Sequence, residues 1–164
     1  MTSPLFRSPV ALLIAAASLS ILSVSPSEAA SELVYTNARI LAPVKGSSTT
    51  AGYAEVKNDS DQPVLLKVLD AKPFKSAETH ETYEDAGRMG MRKIEQIEVP
   101  AHETFSLKPG GHHVMLFDAT RALKTGEKIL VRFTENGKTR SIPFKVEDRN
   151  EKADGDSSHG HHHH

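Results

Sequence analysis

The chain has 164 residues and a mass of 17.9 kDa, of which 38% are hydrophobic, 5% aromatic and 25% charged. Lys and Arg number 20 against 21 Asp and Glu, and the formal net charge of −1 excludes the broad basic footprint of a nucleic-acid binder. Cys is absent, which excludes a disulfide scaffold, a thiolate nucleophile, a Cys-type zinc site, an iron–sulfur cluster and a thiolate-bound blue-copper centre.

The N-terminal stretch reads as an address. Residues 10–24 form an apolar run preceded by Arg7, and small residues lead to Ser27-Glu28-Ala29. This order is that of a secretory signal peptide, and the run is short of the roughly 20 residues that span a membrane. Residues 1–29 are therefore assigned as a signal peptide and the mature protein as periplasmic, with no membrane anchor after cleavage. No Cys lies near the cut to carry a lipid.

The mature chain predicts strands. Residues 33–40, 51–57, 64–69, 75–83, 89–99, 104–107, 113–117, 128–133 and 140–146 alternate or run apolar, separated by clusters of Gly, Pro, Asn and Asp. Asn136-Gly137 is a strong hairpin signal, because both residues tolerate positive φ. Residues 119–124 are expected to form one helical turn with Leu123 facing the core. Short strands at spacings near ten residues indicate an antiparallel sandwich or barrel. No repeat and no second domain is visible. Residues 30–147 form the domain, and residues 148–164 lack the apolar side chains to build a core and are expected to be disordered.

The middle of the chain gathers soft donors. Met89, Met91 and Met115 are three of its four Met, and His80, His102, His112 and His113 are its His residues outside the tail. His113 and Met115 are two apart and share a face on a strand, as do Met89 and Met91. His80 lies before the turn at Glu84-Asp85-Ala86-Gly87 and Met91 beyond it, so a hairpin returns Met91 towards His80. The Gly110-Gly111 turn brings in His113 and Met115. Thioether and imidazole together suit copper, above all Cu(I), and poorly suit Mg²⁺ or Ca²⁺. Two His and two Met carry no formal charge and favour the reduced ion, which points to carrying Cu(I) rather than cycling it. Met89 is read as packing beneath the site, the alternative being that it replaces Met91 in a flexible turn; His102 is read as solvated, and His112 as exposed on the face opposite His113. Glu81, Glu84 and Asp85 read as solvated turn charges. Any single Met on a sheet is ordinarily core filling; the spacings taken together set these apart.

Those spacings carry a resemblance. His80, ten residues, Met91, twenty-one residues, His113, one residue and Met115 reproduce the pattern of the periplasmic copper chaperone family called PCuAC. Supporting segments are Tyr53 to Asn58, Gly87-Arg88-Met89-Gly90-Met91, Val99-Pro100-Ala101, and the stretch from Leu107 through Gly111 to Leu116. The similarity spans residues 33–146. His112 departs from the family, which usually has an aromatic or other residue there. The resemblance implies an all-β, cupredoxin-like Greek-key β-sandwich of antiparallel strands with Cu(I) near one end, bound by His80, Met91, His113 and Met115. It implies a monomeric, non-enzymatic chaperone that passes copper to an accepting protein, such as an oxidase subunit or another copper chaperone. The alternative is a periplasmic copper buffer or tolerance protein without a dedicated recipient. An enzyme on a similar sandwich would need an open redox-cycling metal, which two thioethers disfavour. The terminal His159, His161, His162, His163 and His164 read either as an expression tag or as a second site, for Cu(II), which imidazole suits.

Overall fold

Side chains that alternate between apolar and polar give strands with one buried and one wet face. β3 (Val64–Ala71) and β9 (Lys128–Glu135) show this plainly, with Val64, Leu66 and Val68, and Ile129, Val131 and Phe133, turned inward. The computed structural model describes residues 33–149; the expected signal peptide and residues 150–164 of the expected tail lie outside them, while the tail's first two residues, Asp148 and Arg149, are held by Thr125 and the Ala42 carbonyl. The remaining strands are β1 (Leu33–Leu41), β2 (Thr50–Asn58), β4 (Phe74–Asp85), β5 (Arg88–Ile94), β6 (Ile97–Val99), β7 (Thr104–Leu107), β8 (His112–Ala119) and β10 (Lys138–Glu147).

The ten strands form one ladder in the order β5-β4-β8-β7-β2-β1-β10-β9-β3-β6. β5 and β6 are consecutive in the chain yet occupy its two ends, joined only through Glu95 and Gln96. The sheet must therefore fold over on itself, and β3 packs on β4 without a ladder between them. Two inner faces enclose one core, centred on Phe74, Phe133, Phe144, Ile40 and Leu116, each at most 1% exposed. Leu123 packs at its margin, as expected.

Three sequence expectations are corrected. The run 89–99 is two strands, because the chain leaves β4's edge at Ile94 to pair with β3 from Ile97. Residues 119–124 form no helical turn: the Ala119 and Thr120 N–H groups donate to Ser48 and Pro73 carbonyls. The Lys124 N–H donates to the Glu127 carboxylate. The ladder is antiparallel except where β1 runs parallel to β10 and β7 meets β8.

Candidate metal centre

Three strands build the site. In the antiparallel β4–β8 pair His80 stands directly opposite His113, and Glu78 opposite Met115. In the β4–β5 hairpin Thr82 stands opposite Met91, and Glu84 opposite Met89. Residues two apart share a face, so His80, Met91, His113 and Met115 all belong to one face of this three-stranded wing. The reverse face carries Thr79, Val114 and Leu116, each at most 3% exposed, so the donors stand on a backing of packed core. β5 is the end strand, which leaves Met91 at 52% and Met89 at 65% exposure while His113 is only 4% exposed. The four donors thus run from a buried imidazole to an open thioether.

The imidazoles are held by their neighbours. The His80 and His113 rings lie 6.2 Å apart between centroids, with Tyr53 6.3 Å beyond His113 and Phe117 6.0 Å from His80. His113 Nδ1 donates to the Gly111 carbonyl at 2.9 Å. Burial holds the His113 imidazolium below the ordinary histidine range, helped by nearby His80 and His112 and opposed by the Gly111 bond. His80 Nε2 donates to Glu78 Oε2 at 2.9 Å, and Lys93 Nζ donates to Glu78 Oε1 at 3.1 Å. These two bonds keep the Glu78 carboxyl below its usual range. His80 Nδ1 is buried with no hydrogen-bond partner among the described residues. Buried polar atoms are nearly always satisfied, and an orphaned imidazole nitrogen near a second imidazole, on a sheet face that also carries two thioethers, fits a soft, weakly hydrated metal ion. No group of three or more His, Cys, Asp or Glu side chains among the described residues is placed to hold a metal, so the chemistry available here turns on the thioethers.

Other residues singled out by sequence fall elsewhere. Met89 does not pack beneath the site: it stands one pair from the hairpin tip, beyond the core's reach. His112 is on the reverse face as expected, but half-buried, its ring 4.9 Å from Phe105 and edge-on. His102 is exposed, in the left-handed region with φ 60°, and bonds Asp61 Oδ1 at 2.9 Å. Glu81 is no free turn charge: it lies within β4, accepts from Arg92 Nε at 2.8 Å and sits 3.6 Å from His112. The histidines of the tail lie outside the described residues.

Sequence reasoning passed over Glu78 and the Tyr83–Gly90 pair. Glu78 sits two residues before His80, the spacing that puts both on one face of a strand. Tyr83 and Gly90 are directly paired, and a Cβ at Gly90 would lie 2.5 Å from the Tyr83 ring. Only glycine lets that ring cross the hairpin, where the Arg92 guanidinium covers it at 5.4 Å. The pair occupies the reverse face and fixes the hairpin so that Met89 and Met91 share the other.

Similar proteins have this architecture. A "Putative lipoprotein Lxx21020" of Leifsonia xyli subsp. xyli is 32% identical over 106 residues, 63% of this chain and 63% of that protein. The chain thus spans less than two thirds of that relative's length. The solution structure of CuI-DR1885 from Deinococcus radiodurans is 28% identical with a TM-score of 0.61, covering 76% of this chain and 83% of that one. The copper-bound PCuAC domain from PmoF2, 22% identical with a TM-score of 0.56 over 71% of this chain and 93% of its own, shares the fold, a cupredoxin-like β-sandwich. The sequence model described as LpqE-like matches residues 33–146. The chain belongs to the LpqE-like family, of the PCuAC type that its motif resembles.

Proposed function

We propose that this protein is an exported copper chaperone that binds Cu(I) through His80, Met91, His113 and Met115 and releases it by ligand exchange. One observation carries the reading: two imidazoles in direct register share a sheet face with two thioethers, and one buried imidazole nitrogen has no partner. The copper-bound state of structural relatives supports the same chemistry. Lipoprotein relatives support export, although these 164 residues contain no Cys to carry a lipid. Uncharged donors hold a monovalent ion without charge neutralisation, and the exposed Met91 edge lets an acceptor's ligand enter before the donor's leave.

Cu(I) competition titration tests the site, with X-ray absorption to count two sulfur and two nitrogen neighbours. Changing Met91 and Met115 together to Leu is expected to weaken Cu(I) binding by on the order of a hundredfold or more, since even outer partners of a metal site contribute tenfold or more. Equal affinity in that double variant would reject the ligand set. Transfer to a purified oxidase copper subunit is the expected behaviour of a chaperone directed to oxidase assembly, whereas retention would favour the buffer reading. The tail histidines are proposed as a separate Cu(II) site, and loss of one Cu(II) equivalent on truncation before Ser157 is the expected result.

A further inference from the structure

Resting on the Cu(I) reading above, we infer that Glu78 is a positioning residue that makes Nδ1 the copper-donor atom of His80, while His113 donates through Nε2. A carboxylate oxygen only accepts, so the His80 Nε2 bonded to Glu78 Oε2 at 2.9 Å must carry the proton. The ring's other nitrogen, Nδ1, is buried without an acceptor, which disfavours a proton there and leaves a lone pair. At His113 the order is reversed. The Gly111 carbonyl takes the Nδ1 proton at 2.9 Å and leaves Nε2 as the donor. A metal-bound histidine takes its tautomer from the partner of its other nitrogen, and a carboxylate partner also raises the ring's basicity.

The placement of Glu78 is set by the fold. It is two residues before His80 on β4, on the same face and opposite Met115 on β8. Its second oxygen is occupied by Lys93, which stands opposite His80 on β5. Side chains from two neighbouring strands, β4 and β5, therefore hold this one carboxylate. Lys93 removes the freedom of the carboxylate to turn away, and Glu78 removes that of the ring to flip. The two imidazoles enter the site through different nitrogens because one is held by a side chain from the sheet face and the other by a turn carbonyl.

Long-range ¹⁵N–¹H NMR of the imidazoles in the full chain at pH 8 tests this first without metal. The expected spectrum shows His80 as the Nε2–H tautomer and His113 as the Nδ1–H tautomer. On adding Cu(I), the ¹⁵N shifts should move at His80 Nδ1 and His113 Nε2. Glu78→Ala is expected to mix the His80 tautomers and weaken Cu(I) binding about tenfold. Glu78→Gln, whose amide oxygen still accepts, restores the single tautomer and part of the affinity. Either His80 appearing as Nδ1–H in the unaltered protein, or Glu78→Ala leaving tautomer and affinity unchanged, would overturn the assignment. Failure of the Cu(I) reading shows separately, as Met91 and Met115 substitutions without effect beside an intact tautomer pattern.

Discussion

At the scale of single residues, burial decides which charges this sheet tolerates. His113 is buried and its imidazolium disfavoured, so in the folded protein it takes up a proton below the value of about 6.5 that the unfolded chain shows. The unfolded state then binds more protons in that window, and stability falls as the pH drops from 6.5 towards the folded value. Denaturant melts between pH 8 and 5 should show this loss, and His113→Gln should flatten it; an equal pH slope in both proteins would contradict it. The same depression would keep His113 free to bind the proposed Cu(I) at pH values where a free imidazole is protonated. Glu135 is the opposite case, a carboxylate only 1% exposed. It is kept by Arg140 Nη1 at 3.0 and 3.1 Å and by the Tyr35 hydroxyl at 2.7 Å. Burial and that carboxylate hold the Tyr35 phenol far above its ordinary range. Glu135→Ala strands the Tyr35 hydroxyl but leaves Arg140 its bond to the Leu33 carbonyl and access to solvent, so a loss of about 2 kcal/mol is expected in chemical denaturation.

At the scale of elements, two hairpins show what a sequence discloses and what it hides. Asn136-Gly137 turns β9 into β10 with both φ positive, as the residue pair announces. Ala86-Gly87 turns β4 into β5 in the same way, with Ala86 at φ 48°. Alanine has no side chain to compensate the left-handed conformation, so this turn is strained where Asn136 is not. Ala86→Asn is expected to stabilise the protein by about 0.5–1 kcal/mol without changing Cu(I) affinity. A neutral or adverse effect on melting would show that the hairpin tip relaxes by other means. Strand alternation located most of the ladder in advance, because one face of each strand must enter the core. It missed the break at Glu95 and Gln96, since a chain crossing between two sheet edges keeps the same polar pattern on either side. It misread Met89, because residue type does not say where a hairpin outruns its core. The face shared by His80, Met91, His113 and Met115 followed from spacings of two and from one turn. Glu78 was hidden, since a carboxylate beside a histidine is commonplace until register and burial show what it holds.

At the scale of the molecule, the fold grades the site from rigid to open. His113 and Met115 lie on β8, which is laddered to β4 on one side and to β2 and β7 on the other. Met91 lies on β5, which among the described residues has a partner on one side only. Regions with fewer buried contacts open at lower free energy, so release should begin at Met91. A ligand that binds only the folded state stabilises it by about 2.7 kcal/mol at a hundredfold excess over its dissociation constant. For a domain of this size that corresponds to a rise of several degrees in Tm. Cu(I) under reducing conditions should produce this rise. Met115→Leu should remove more of it than Met91→Leu, because it deletes the donor from the fixed part of the site. Met91→Leu should chiefly speed copper loss to a chelator in stopped-flow transfer. Equal off-rates for the two single variants would mean that the exposed edge plays no special part in release.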